Sequence, residues 1–546
     1  MIKHFLRSSG KLDADAPGPV VSRRPTRSSA ALLALASWAS VLSAGCFAGA
    51  APATPAAPAP FEPARSGEVR GTWVTTTAND AIANPANTGA TMKRLREIGL
   101  NTVYVETWKN GYTQFPSAAL KAAIGVDRRP ALVKQDPSDP DKAIESRDLL
   151  EETLIEAHRN GLVYIAWFEY GFMAAHKDTN NHLRRMYPQW LSRDAKGSEV
   201  AKNGFVWMNP LHPGPRKLLL DIVLESARKY DLDGVQLDDR IVWPYYDMGY
   251  DDFTKQAYAK DHAGQQPPAD PKDPTWTRWR ADKVNEYSKI FTQGIRAKAP
   301  GVLISLSPAV YPWCYENYLL EWPKWSAWTA SDKLTSGGAS NAVPGWDEFI
   351  PQNYRFSYDA FEKTWLDQIK HMRELGANRQ RALIAGIRLV GEGKDSTWEQ
   401  LSKSMDLARA QGGGGHVHWF SRGVLDVFAK DLTNYYAKLG AAPNPHFPAD
   451  WRKPSVKLAI NDDPRQQAAA GAGNQRWTTT ALTPGTYRVI AHDGTRWSYY
   501  IDEIELNAAM LNGGFSVDAP TRFKQVEVLV DRRADRARLP AFSPGK

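Results

Sequence analysis

Cysteine is nearly absent from this 546-residue chain, occurring only as Cys46 and Cys314. Cys46 ends an amino-terminal leader, so no structural disulfide is expected within the mature chain. No Cys/His cluster has the spacing of a zinc site, and neither a metal nor any other cofactor is expected. Basic runs are lacking too. The formal net charge is +8, and the first fifty residues, with six Lys/Arg and two Asp, carry +4 of it, which leaves about +4 for the rest. That is no electrostatic footprint for nucleic acid. Beyond the leader, no apolar run is long enough to span a bilayer. No glycine-rich phosphate loop follows the first strand-like run, which argues against a doubly wound open sheet.

The leader itself is a targeting segment. Arg23, Arg24 and Arg27 precede an apolar run from Ala30 to Leu42, and then come Ser43-Ala44-Gly45-Cys46. This resembles a bacterial lipoprotein signal, in which the cysteine becomes the lipidated first residue, although Ser43 stands where Leu is usual. Cleavage after Ala48-Gly49-Ala50 is the alternative. Either route means export to the periplasm or cell envelope. Lipidation of Cys46 makes the protein an outer-membrane lipoprotein that meets the membrane only through its anchor. Residues 1–50 are read as the signal segment and 51–66 as a Pro/Ala tether.

What the chain has in excess is aromatic: 20 Trp and 21 Tyr. Many lie at the ends of strand-like runs and in loops, where they suggest a carbohydrate-lined cleft better than a core. The runs are Val69–Thr75, Thr102–Thr107, Val163–Glu169, Gly234–Asp238, Val302–Ser307, Glu348–Gln352, Ala382–Arg388 and Gly415–Phe420. Amphipathic helical segments alternate with them at Thr91–Ile98, Asp148–Arg159, Lys217–Tyr230, Val284–Ala297, Phe361–Leu375 and Trp398–Ala410, and 308–347 reads as a long loop. This alternation predicts a (β/α)8 TIM barrel with loop insertions over 67–442. From Trp451 short strand-like runs follow without long helices, which predicts a small antiparallel β-sandwich over 451–546. Pro443–Pro448 reads as the linker.

In such barrels, function sits where strands end and loops begin. Val235 and Leu237 alternate with Gln236 and Asp238, so the polar pair faces away from the helices, and Asp239 adds a second carboxylate at the strand end. Trp243, Tyr245 and Tyr246 follow closely. Glycosidic bond cleavage wants one protonated carboxyl and a second group to stabilise an oxocarbenium-like centre. The expected catalytic groups are therefore Asp238 and Asp239, assisted by Glu169. As an alternative, such acids cap a loop or pair with Arg240 and Arg280. Glu169 could equally be a buried acid paired with an arginine, and Glu106 reads as a binding or structural group rather than an acid. The other expected substrate-binding residues are Trp108, Tyr112, Trp167, Asn209, Gln236, Trp243, Gln352, Tyr354, Arg355, His418 and Trp419. His416 and His418 share a strand face, but no third metal ligand has matching spacing.

Several stretches resemble one family. They include Arg70-Gly71-Thr72-Trp73-Val74, Gly111-Tyr112-Thr113-Gln114-Phe115-Pro116-Ser117 and Ala166-Trp167-Phe168-Glu169-Tyr170-Gly171-Phe172. Further on come Trp207-Met208-Asn209-Pro210, Asp233-Gly234-Val235-Gln236-Leu237-Asp238-Asp239 and Pro351-Gln352-Asn353-Tyr354-Arg355. In order and content, about 67–430 is similar to the glycosyl-hydrolase-like family ten of bacterial exported proteins. The resemblance implies a barrel glycosidase acting on amino-sugar polymers of the cell envelope. One characterised relative cuts peptidoglycan strands stripped of their peptides, and a more distant one acts on partly deacetylated poly-N-acetylglucosamine. Glu106 departs from the family pattern, where a non-acidic residue is expected. The expected partner is a polysaccharide, with no nucleic acid, and the expected state is a monomer. A non-catalytic glycan-binding wall protein is the alternative from another class.

Overall fold

The structure is a computed structural model and describes residues 67–328, 345–536 and 539. The expected leader, tether and Cys46 lie outside the described residues, as does 329–344 within the long loop. Eight parallel strands form one sheet: β1 Val69–Val74, β2 Thr102–Glu106, β3 Val163–Phe168, β4 Gly234–Asp238, β5 Leu303–Ser307, β6 Glu348–Phe349, β7 Ala385–Arg388 and β8 Gly415–Trp419. They run in the order β6-β5-β4-β3-β2-β1-β8-β7. Parallel bridges Phe349–Leu383 and Gln352–Gly386 bring the two ends of that order together, so the sheet closes into a (β/α)8 barrel. β6 is shorter than its sequence suggests because Pro351 has no N–H to give the ladder.

Helices α1 Pro85–Ile98, α2 Leu149–Arg159, α3 Pro213–Lys229, α4 Pro274–Lys298, α5 Tyr358–Arg373, α6 Trp398–Ala410 and α7 Ala429–Leu439 surround the strands. Several begin earlier than the apolar periodicity predicts. α1 starts six residues before Thr91, with Pro85 in its first turn and the Asn84 side chain accepting from the Asn87 N–H. α4 likewise starts at Pro274 under an Asp273 cap. Capped first turns carry few apolar residues, so periodicity does not see them. Between β5 and β6 only the short helices Trp313–Tyr318 and Trp322–Ser326 occur among the described residues.

The barrel floor is sealed by the segment read as a linker. Asn444 donates to the Thr102 hydroxyl at 2.9 Å, and His446 Nε2 lies 3.0 Å from Glu348 Oε2. Glu348 also accepts from the Tyr104 hydroxyl at 2.9 Å inside the barrel. Beyond it, Val456–Lys457, Gln525–Val530, Gly485–His492 and Trp497–Leu506 form one antiparallel sheet. Ala459–Ile460, Asn474–Thr479 and Phe515–Pro520 form a second. Trp477, Tyr487, Val489, Phe515, Val517 and Val528 pack between them.

Candidate active site

The site is built at the C-terminal ends of β1 to β4, with contributions from β6 and β8. Gln236 and Asp238 point into the barrel while Val235 and Leu237 pack outward in the core. The Gln236 amide bridges the interior, accepting from Trp73 Nε1 at 2.8 Å and donating to the Ser305 hydroxyl at 2.8 Å. One turn of the pleat higher, Asp238 Oδ1 accepts from Gln352 Nε2 at 2.6 Å and from the Asp239 N–H at 2.7 Å. Asp238 Oδ2 accepts from Arg240 Nη1 at 2.8 Å. Asp239 is held more loosely, with Oδ1 3.6 Å from Arg240 Nε.

Arg240 also donates to the Glu169 carbonyl at 3.0 Å and stands 3.6 Å from its carboxylate. Gly171 makes this possible. It sits at φ +45°, and a Cβ there would come within 2.4 Å of the Arg240 carbonyl oxygen, so only glycine lets the β3 and β4 loops meet this closely. Glu169 reaches Lys109 Nζ at 3.3 Å, and Lys109 reaches Glu106 at 2.7 Å. Glu106 further accepts from the Thr76 hydroxyl and, at 3.3 Å, from its N–H.

Four carboxylates thus share two cations in a nearly closed mouth. Asp238 is 3% and Asp239 7% exposed. Burial pushes the Asp238 carboxyl well above the usual carboxylate range, with the charges of Asp239 and Glu169 adding to the effect and Arg240 opposing it. Burial likewise raises Asp239 and Glu169, against Arg240 in the first and chiefly Lys109 in the second. Glu106 goes the other way. Burial opposes its charge, but Lys109 and the Thr76 donors outweigh this and hold it below the usual range. The cluster therefore separates three acids raised by burial from one held low by its donors.

An aromatic cluster lies against the acids, with Trp167 level with Gln236 and so one layer below Asp238. The Trp73 ring lies 6.0 Å from Tyr104, 6.4 Å from Trp167, 6.3 Å from Tyr354 and 6.0 Å from Trp419. Tyr354 and Trp419 stack at 5.7 Å and are both partly exposed. The Trp167 Nε1 is buried with no hydrogen-bond partner. A flat, partly open aromatic wall beside acids raised by burial is suited to holding a sugar ring and donating a proton to its leaving oxygen.

The structure brings Asp238, Asp239, Glu169, Glu106, Gln236, Gln352, Trp167, Tyr354 and Trp419 together. Other residues expected at the site are placed elsewhere. Trp108 is fully buried and donates to the Gly171 carbonyl at 3.0 Å. Trp243 is fully buried, donates to the Met248 carbonyl at 2.9 Å and packs against Trp276. Neither presents a face to a sugar, and the same holds for more than half of the twenty tryptophans, which are core. Asn209 is buried against Asp251 and Thr254, bracing the start of the Asp252–Asp261 helix. His418 points outward from β8 and shares the Tyr436 hydroxyl of α7 with His416, and burial keeps both imidazoles neutral. The Tyr112 hydroxyl meets His182 Nδ1 at 2.6 Å. Arg355 binds Thr364 at 3.0 Å and the Tyr354 carbonyl at 2.9 Å, bracing the start of α5.

Lys109, Trp73 and Thr76 were not expected at the site. Lys109 follows Glu106 by three residues among aromatics, and that spacing was the available signal. Among the described residues no group of three or more His, Cys, Asp or Glu side chains could hold a metal ion. A cavity of about 600 Å3 opens at the opposite, N-terminal end of the barrel beside Arg70, Asn101, Tyr436 and Asn444, and contains none of these acids. The acid cluster lies at the mouth.

Residues 68–336 match the model of the family described as Glycosyl hydrolase-like 10. The chain is similar to Glycosyl hydrolase YngK of Bacillus subtilis (strain 168), at 26% identity over 260 residues, covering 44% of this chain and 45% of that protein. The match therefore spans less than half of the relative's length. Among solved structures, the chain is similar to the PgaB (BpsB) glycoside hydrolase domain from Bordetella bronchiseptica, at 15% identity and a TM-score of 0.47, covering 67% of this chain and 98% of that one. It is also similar to the catalytic domain of β-amylase from Paenibacillus polymyxa, at 9% identity and a TM-score of 0.46, covering 72% of this chain and 100% of that one.

Proposed function

We propose that this protein, whose residues 68–336 match the model of the glycosyl hydrolase-like 10 family, is an exported glycoside hydrolase that cuts amino-sugar polymers of the cell envelope, foremost peptidoglycan strands freed of their peptides. The observation that carries this reading is the pair Asp238-Asp239, buried side by side at the end of β4 against the aromatic cluster. Asp239 is the general acid. Burial raises both members of the pair, and Asp239 is less tightly held than its neighbour, so a proton shared by the pair can be turned toward the leaving oxygen from Asp239. Asp238, fixed by three donors, is the positioned partner. Once ionised it can accept from the acetamido N–H of a substrate whose own N-acetyl oxygen attacks the anomeric carbon, a route that needs no protein nucleophile. Lys109 and Arg240 keep Glu169 and Asp238 in register.

The reading includes export through the leader and anchoring at Cys46 in the outer membrane. The test of activity is mass spectrometry of products from purified sacculi, with and without prior amidase treatment. New glycan ends only after amidase treatment support the reading, and no cleavage in either case refutes it. A second reading has its own support. Four acids outnumber two cations, so at any pH where fewer than two of the four are protonated the cluster is negative and favours a cationic sugar, as in partly deacetylated poly-N-acetylglucosamine. Cleavage of that polymer alone selects the second reading.

A further inference from the structure

The acids occupy the side of the mouth formed by β2 to β4. The ends of β6 and β7 carry a second group of residues that no step of the proposed hydrolysis uses. Arg388, the last residue of β7, lies level with Trp419 of β8. Laterally paired residues of parallel strands point to the same face, so Arg388 enters the mouth beside that indole. Its Nη2 donates to the Glu392 carbonyl at 2.5 Å, whereas Nη1 is buried with no hydrogen-bond partner. The residue is only 6% exposed. Asp395 and Glu392 act on it through space, yet among the described residues no carboxylate forms an ion pair with it. A cation removed from water with an N–H unsatisfied is an unstable arrangement unless a ligand completes it.

The neighbour of this guanidinium is Phe356, whose ring centroid lies 4.5 Å from Arg388 Cζ. Phe356 is 53% exposed. Gly393, at φ +77°, makes room for the edge of this ring, for a Cβ there would stand 2.8 Å from Phe356 Cε1. Tyr354 and Trp419, stacked at 5.7 Å, connect this pair to the acids, since Tyr354 feels the charges of Asp238 and Asp239. Trp419, level with Arg388 and stacked on Tyr354, thus stands between the acids and an unsatisfied cation.

We propose that Phe356 and Arg388 form a subsite for a carboxylate-bearing sugar, the ring resting on Phe356 and the carboxylate accepting from the free N–H of Arg388. This rests on reading the mouth as a glycan cleft and names the group the cleft recognises. In peptide-free strands that group is the lactyl carboxylate of muramic acid. A stem peptide converts the same carboxylate into an amide and abolishes its charge, so peptide-bearing strands lose this contact as well as meeting more steric hindrance. The glycosidic chemistry is unchanged.

The test measures binding to the Asp239→Asn protein by titration calorimetry. The probes are an N-acetylglucosamine–N-acetylmuramic acid tetrasaccharide, its methylamide, and an oligosaccharide of similar length carrying a uronate. A charge-assisted hydrogen bond to a buried guanidinium predicts that the free acid binds about tenfold or more tightly than the methylamide. Arg388→Gln should bring this preference to within about twofold, and Arg388→Lys should keep part of it, since it retains charge without the planar fork. Uronate binding equal to that of the muramic acid, with the methylamide still weak, keeps the carboxylate subsite and changes its source. Equal binding of acid and methylamide to the parent protein overturns the proposal, a result that does not depend on whether the Arg388 variants fold. A retained preference in a protein that cleaves no strand would leave the subsite standing and refute the hydrolase reading.

Discussion

Replacing Arg240 by Met should destabilise the protein in a pH-dependent way. The Arg240 guanidinium is three-quarters buried, donates to Asp238 at 2.8 Å, and stands 3.6 Å from both Asp239 and Glu169. Removing one partner of a buried pair leaves the other charge uncompensated, which costs about 3–5 kcal/mol. Here three carboxylates lose a cation, and only Lys109 remains near Glu169. Protonation can relieve part of the cost. Asp238, Asp239 and Glu169 are raised in the folded protein even with Arg240 present, so the native state binds protons that the unfolded chain releases. Their contribution to stability is then complete below the ordinary carboxylate range and is lost as pH rises through the raised values. Without Arg240 those values rise further, and the loss becomes steeper. Urea unfolding followed by tryptophan fluorescence from pH 5 to 8 reads this directly. The expected result is a variant close to the parent at pH 5 that falls behind by about 3 kcal/mol or more by pH 8. A small deficit of the same size at every pH would refute the shared-proton account of the cluster.

Asp238→Asn and Asp239→Asn should each lower turnover by about a hundredfold or more while circular dichroism stays native, because both sit at the mouth rather than in the core. Turnover of the parent should fall as pH rises through the raised value of Asp239, and a pH–rate profile without that alkaline limb would reassign the acid. Trp419→Ala should raise KM by about tenfold through loss of a stacking face. Trp243→Ala should instead lower stability by about 3–5 kcal/mol, as expected for a fully buried indole; thermal denaturation and kinetics on the two variants separate the roles. Cys46→Ala should move the protein from the membrane to the soluble fraction on cell fractionation, and an unchanged distribution would point to cleavage after Ala50.

The barrel was legible because each parallel strand, buried on both faces, is a short β-branched or aromatic run between helical periods. The parity of Gly234–Asp238 also placed Gln236 and Asp238 correctly, since side chains alternate strictly within a strand. Parity ends where the strand ends. Trp108 and Trp243 lie beyond β2 and β4, where loop geometry decides direction, and both turned into the core. His418 lies within β8, but a histidine facing the helical layer and one facing the mouth look alike until its neighbour Tyr436 is known. Lys109 and Arg240 were hidden for another reason. The sequence shows carboxylates as candidates for chemistry and cations as their partners, but not which cation spans which acids. Arg240 was read as an alternative to catalysis, whereas it is part of what makes an acid pair tolerable in a closed mouth.

The same strand that carries the acid pair is anchored at its other end by residues far along the chain. Asp233, immediately before β4, accepts from Trp451 Nε1 at 2.6 Å and Arg452 Nε at 2.8 Å. Arg452 also donates to Asp231 at 2.9 Å. Asp233 additionally accepts from the Tyr164 N–H of β3 at 2.8 Å, which ties the two strands bearing Asp238 and Glu169 to one another beneath the mouth. Arg452 then reaches the Val530 carbonyl at the end of a sandwich strand, and Arg159 at the end of α2 pairs with Glu527 of that same strand at 2.9 Å. These ion pairs are nearly all buried, so they are costly to break singly and fix orientation more than they add net stability. The sandwich therefore acts on the barrel as a brace at the foot of β3 and β4. Its buried aromatics Trp477, Tyr487, Trp497 and Phe515 belong to its own packing and its contact with α2 rather than to a sugar-binding face. Geometry at the acid pair depends on strand register, and strand register here is held by contacts at the opposite end of the barrel.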